Sequence, residues 1–247
     1  MRVAVEVCVT SVEEALVAEQ LGVDTIEVCN WLACGGVTPS FGLLNVLQER
    51  VRVRKRVLVR PTPGGFHYTA HERQTLLRDV LMSGVGDETC GIVTGGLDAA
   101  NLPDAELVRG ALLGAGDREI TFHRAIEFAT DMHAAFDRCL QLGVHRVLTS
   151  GGGTLVMDSI DALAALVKRT SDQVIVAAAG GINAGNAVEV VERTGVREVH
   201  FSAQRPRLVV VKGHALGSGG GEANFSTEPD VAKIEGVLNA LVKAGLR

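Results

Sequence analysis

Val3, Val5, Val7 and Val9 alternate with Ala4, Glu6 and Cys8 at the start of the chain, a period of two that predicts a strand with one face on an apolar layer. Including this first run at 3–9, short β-branched segments predict eight strands, the others near 24–29, 56–60, 89–94, 119–123, 145–149, 173–178 and 197–202. Between them the apolar period changes to that of a helix, near 12–21, 40–49, 70–83, 103–113, 131–142, 158–169, 184–193 and 229–244. Pro103, Asp131, Asp158 and Asn183 read as helix start signals, and Gly22, Gly84, Gly143 and Gly195 as left-handed helix stops. Glycine clusters begin at Gly35, Gly64, Gly95, Gly151 and Gly180, marking a repeat of roughly 30 residues. Strand, loop and helix repeated eight times fit a closed parallel (β/α)8 TIM barrel, a single domain over residues 1–247, better than an open doubly wound sheet.

Residues 203–228 break this period with Arg205, Pro206 and Arg207, the run Val209 to Val211 and the glycines between Gly217 and Gly221. They predict a long irregular loop before the last helix, a feature more often functional or a subunit contact than inert.

Composition narrows the class. At 47% hydrophobic and 21% charged residues the chain can bury a large core, which excludes a disordered protein. A net charge of -5 without basic clusters interleaved with aromatics argues against nucleic acid. The densest basic stretch, Arg50 to Arg60, alternates with Val51, Val53, Val57 and Val59 and reads as a strand and its approach. No signal-peptide core opens the chain and no apolar run reaches membrane-span length, so a soluble, cytoplasmic protein is expected. Cys8, Cys29, Cys34, Cys90 and Cys139 are odd in number and contain no CxxC, so neither a disulfide framework nor an ordinary zinc spacing is implied.

The strand period also predicts which side chains enter the barrel. With the valines of the first strand on the helices, Glu6 and Cys8 point inward, as do Thr25, Glu27 and Cys29 of the second, Arg60 at the end of the third, Thr121 and His123 of the fifth, and His200 and Ser202 of the eighth. Buried carboxylates need compensation, so Arg60 or another arginine should pair with Glu6 or Glu27. Chemistry in this fold gathers at the C-terminal ends of the strands, which makes Glu27, Arg60 and His123, with Glu6 and His200, candidate catalytic groups. The alternative is a buried polar layer with no chemistry. Cys8 and Cys29 fall at matching positions of neighbouring strands, where two sulfurs could share a soft ion such as Cu(I), and Cys34 follows as a possible third ligand. Buried cysteine can equally be a small apolar residue. Gly180, Gly181 and Ser202 lie where such barrels bind anions through backbone amides. None of Lys55, Lys168, Lys212, Lys233 and Lys243 falls at a strand end, which disfavours a Schiff base.

Glu27-Val28-Cys29 followed by Gly35-Gly36-Val37-Thr38-Pro39-Ser40 resembles a block of the CutC family, proteins named for copper homeostasis. Val59-Arg60-Pro61, Phe66 with Tyr68, Val93-Thr94-Gly95, Thr121-Phe122-His123-Arg124-Ala125, Leu148-Thr149-Ser150-Gly151-Gly152, Gly181-Ile182-Asn183-Ala184 and Glu198-Val199-His200 continue the resemblance in order. It implies a (β/α)8 barrel, a cytoplasmic role in copper handling, self-association as a homodimer or larger homo-oligomer, and Cu(I) on the matching Cys8 and Cys29. Cys34 stands where the family usually has glutamate, and Thr62 and Gly65 replace its arginine and aspartate. Three readings follow: a Cu(I)-binding protein; a barrel enzyme acting on a small anionic or phosphorylated metabolite; and a barrel whose main role is oligomer-dependent interaction.

Overall fold

The computed structural model describes the chain apart from Met1, Val85, Gly86, Glu88, Ser171, Asp172 and residues 208–226. Eight parallel strands close into a barrel in chain order: β1 (Ala4–Val9), β2 (Thr25–Val28), β3 (Arg54–Leu58), β4 (Gly91–Thr94), β5 (Ile120–Phe122), β6 (Arg146–Thr149), β7 (Ile175–Ala178) and β8 (Glu198–Ser202), with β8 pairing back to β1. Helices α1 (Val12–Gln20), α2 (Phe41–Arg50), α3 (Ala70–Met82), α4 (Ala105–Ala115), α5 (Met132–Leu142), α6 (Ile160–Arg169), α7 (Ala187–Thr194) and α8 (Val231–Lys243) follow the strands in turn. This is the (β/α)8 architecture that the period of roughly 30 residues requires.

The first-strand parity holds. Val3, Val5, Val7 and Val9 are buried in the large apolar cluster between strands and helices, with Ala15, Ala18, Val237 and Leu241 among its members. Inside the barrel the apolar residues form only two small groups, Cys29 with Leu58 and Val93, and Leu148 with Ala177 and Ala179. Charge fills the rest.

Helix starts differ from the sequence reading at α4, α6 and α7. Asp104, not Pro103, caps α4, its carboxylate accepting from the Glu106 and Leu107 amides. Asp131 does cap α5. Asp158 lies in a 3-10 turn, Val156–Ser159, ahead of α6, and α7 begins after Asn186 while Asn183 closes the turn before it. Gly22, Gly143 and Gly195 are left-handed, but Gly84 is not. A Cβ at Gly84 would collide with the Arg118 guanidinium, so close packing explains that glycine.

The interval 203–228 is ordered at its ends: β9 (Gln204–Pro206) and β10 (Thr227–Pro229) pair antiparallel. Val209 to Val211, Lys212 and Gly217 to Gly221 lie outside the described residues.

Candidate functional site

Glu6 sits on the barrel axis, accepting from Arg146 at 2.7 Å and from Arg56 at 2.5 Å. Arg146 continues to Glu198 at 2.7 Å and Arg56 to Glu119 at 2.6 Å, so two fully buried arginines and three carboxylates plug the lower barrel. Burial would raise the Glu6 carboxyl, but the charges of Arg146 and Arg56 outweigh it and hold the group well below its usual value. The arginine expected to compensate Glu6 is therefore this pair, and not Arg60. Strand parity carries the signal: Arg56 shares a face with Leu58 and, two residues past the end of β3, Arg60, and Glu198 shares one with His200.

Above the plug lie Cys8, Glu27 and His200, all buried, with one ligand-type atom from each within 4.8 Å of the others. Cys8 Sγ is 3.3 Å from both Glu27 Oε1 and His200 Nε2. His200 Nδ1 is 2.8 Å from Glu6 Oε1. An ionised Glu6 only accepts, so Nδ1 carries a proton, and Nε2 is the ring nitrogen that faces Cys8. Carboxylate, imidazole and thiol thus stand in the order that orients a metal-binding histidine.

Register changes the cysteine geometry expected from sequence. Cys8 pairs across β1 and β2 with Glu27, not Cys29, because a closed barrel staggers its strands. Cys29 lies beyond the end of β2, fully buried, and its hydrogen bond to Cys8 is the first cause pushing the Cys8 thiol well above its ordinary value, ahead of burial and the Glu27 charge. Burial likewise raises Glu27, reinforced by Glu6 and opposed by His200 and Arg146. Cys34, in the 3-10 turn Leu32–Cys34, is half-buried and directs its thiol to the Trp31 carbonyl at 3.0 Å.

These groups open into one cavity of about 830 Å³ at the C-terminal ends of the strands. Cys8, Glu27, Cys34, Arg60, His123, Gly180, Gly181, His200 and Ser202 all line it, whereas Glu6 and Cys29 lie beneath the lining. Arg60 donates to the carbonyls of Cys34 (3.0 Å), Gly36 (2.8 Å) and Gly64 (2.7 Å). Gly36 adopts φ +87°, and a Cβ there would stand 2.6 Å from Leu58, so only glycine brings that carbonyl to Arg60. Of the two family departures near this loop, Gly65 lines the cavity without a side chain, and Thr62 hydrogen-bonds Glu72.

His123 Nδ1 accepts the Ala125 amide at 3.2 Å, so Nε2 bears the ring proton. Burial, then the Arg60 charge, lowers the imidazole to about 3. The ring is therefore neutral at physiological pH and presents an N–H donor. Sequence reasoning missed Lys233, which reaches the cavity from the first turn of α8 with Nζ 5.8 Å from the Phe201 ring. Being distant from any strand end, it had no strand signal. Arg124 and Glu127 also line the cavity but satisfy each other at 2.7 Å.

A (β/α)8 barrel with a deep polar cavity at its C-terminal face and donors for a metal at the floor is the class of protein these features define. The chain matches the CutC family over residues 3–205, and it belongs to that family. A CutC family protein of Xylella fastidiosa (strain Temecula1) is 37% identical over 205 residues, covering 81% of this chain and 74% of the relative. One from Xanthomonas campestris pv. campestris (strain B100) is 34% identical over 249 residues, covering 97% and 99%. Among solved structures, a Streptococcus agalactiae protein described as a candidate copper homeostasis protein, CutC, superposes with a TM-score of 0.74 at 25% identity, covering 80% of this chain and 97% of its own. The N-(5'-phosphoribosyl)anthranilate isomerase of Pyrococcus furiosus, at TM-score 0.59 and 14% identity over 98% of this chain and all of its own, shares the fold.

Proposed function

We propose that this chain binds Cu(I) at the floor of the barrel mouth through Cys8 and His200, with Cys29 as the adjoining thiol and Glu27 beside them. The observation that carries the reading is the convergence of Cys8, Glu27 and His200 within 4.8 Å, with His200 oriented from behind by Glu6. A thiolate and an imidazole in a buried site suit a soft, low-coordinate ion better than a hard cation that demands many oxygens. The S. agalactiae relative's description points the same way. Cys34 is an outer thiol that would first have to leave the Trp31 carbonyl. Five unpaired cysteines fit a reducing, cytoplasmic setting, and among the described residues no helix is long and apolar enough to cross a membrane.

Anaerobic competition against a chromogenic Cu(I) chelator tests this. Cys8→Ser and His200→Ala should each weaken retention about tenfold or more, in the range seen when metal-site support is removed. Cys29→Ser should weaken it less. Wild-type retention by the Cys8→Ser, Cys29→Ser double variant, or uptake of Zn2+ but not Cu(I) by the wild type, would overturn the copper assignment.

A further inference from the structure

A copper ion accounts for the floor of the cavity and for little of its 830 Å³, a volume in the range of small-molecule sites. Three residues that line it each keep a buried side-chain atom with no hydrogen-bond partner among the described residues: Glu27 Oε2, Arg60 Nε and His123 Nε2. Each of these side chains belongs to a residue at most 6% exposed. Buried donors and acceptors are nearly always satisfied, so three orphans on one cavity call for a partner from outside the chain.

The character of that partner follows from the donors. Arg60 is a buried cation that donates to three backbone carbonyls and, among the described residues, pairs with no carboxylate. A buried charge without an opposite charge is costly, and an incoming anion removes the cost. His123 Nε2 is a donor, fixed as such by the Ala125 amide on Nδ1. The two lie against the same ring: the Arg60 guanidinium carbon is 5.0 Å from the centre of Phe66, and the His123 ring centre is 5.1 Å from it. Lys233 also lines the cavity, as do Gly152, Gly153, Gly180 and Gly181, which offer backbone and no side chains. Acid is scarce on this lining, since Glu127 is held by Arg124 and only Glu27 is left over.

We propose that the cavity is the binding site of a small organic anion whose carboxylate or phosphate oxygens accept from Arg60 Nε and His123 Nε2, with a ligand hydroxyl donating to Glu27 Oε2. Phe66 forms one wall, and the Lys233 and glycine end accommodates the remainder of the ligand. The ligand sits above the ion site and shares Glu27 with it, so this inference extends the copper reading without depending on it.

Isothermal titration of the full, metal-free chain with ribose 5-phosphate, 3-phosphoglycerate, 2-oxoglutarate, malate and inorganic phosphate tests the proposal. At least one organic anion should saturate with one site per chain. His123→Leu should weaken it about tenfold or more, because a buried donor is lost where the ligand needs it. Arg60→Gln should weaken it further, but that variant removes the cradle for three carbonyls, so Lys233→Ala, at a half-buried position on α8, serves as the second probe and should cost several-fold. The phosphate and carboxylate arms identify the anionic group. Chelator competition by His123→Leu and Lys233→Ala should match wild type, separating failure of this site from failure of the ion site. No saturable binding of any organic anion in the panel, or equal affinity in wild type and His123→Leu, would overturn the proposal.

Discussion

Glu6 has the most consequential surroundings of any residue in this barrel. Two buried guanidiniums and an imidazole contact its carboxylate. Removing one partner from a buried ion network leaves the rest uncompensated and costs about 3–5 kcal/mol. Glu6→Gln should lose roughly that stability at pH 7 in urea denaturation. Its folded-state carboxyl lies below the ordinary value, so the stability it contributes is present above that value and is lost as pH falls through it toward the folded one. The gap between wild type and Glu6→Gln should accordingly narrow on acidification, and a gap independent of pH would contradict this role. Cys8 gives a dependence of the same sign for metal. Its thiol is raised by Cys29, burial and Glu27, so Cu(I) must displace a proton. Apparent Cu(I) affinity should therefore strengthen with pH, by about tenfold per unit while one proton is displaced. An affinity flat between pH 6 and 8 would show that Cys8 is not the ligand that ionises.

Among the elements, α3 shows how local chemistry fixes a boundary. Thr69 accepts the Glu72 amide while Glu72 accepts the Thr69 amide, a complete capping box. Thr69→Ala should cost about 1 kcal/mol, readable as a lowered urea midpoint at unchanged slope. Strand and helix order was legible in the sequence because apolar period and glycine punctuation agree at most repeats. The inward set of Glu6, Cys8, Glu27, His123 and His200 was legible from alternation alone. Register was not, because the stagger of a closed barrel has no local signal, and this is why Cys8 stands across from Glu27 and not Cys29. The partner of Glu6 was hidden for a related reason: Arg146 lies 140 positions away and meets it only when β8 closes on β1. Lys233 arrives from a helix, to which an argument from strand ends is blind.

At the scale of the molecule, closure of the sheet sorts the chain into two interiors. The shell between strands and helices is apolar and continuous, whereas the lumen is charged below and open above. The charged plug gives the floor its base, Glu6 hands orientation upward to His200, and Glu27, Arg60 and His123 at the mouth each keep a buried atom without a hydrogen-bond partner among the described residues. Self-association, implied by the family resemblance, should appear in light scattering as a dimer or larger particle, and a monomer at micromolar concentration would contradict it. The copper proposed for that floor would be held by the Cys8 sulfur and the His200 imidazole. Copper K-edge absorption on the anaerobically loaded chain measures this directly: mixed sulfur and nitrogen coordination is expected, the nitrogen contribution disappearing in His200→Ala. A sulfur-only shell, unchanged by His200→Ala, would contradict it.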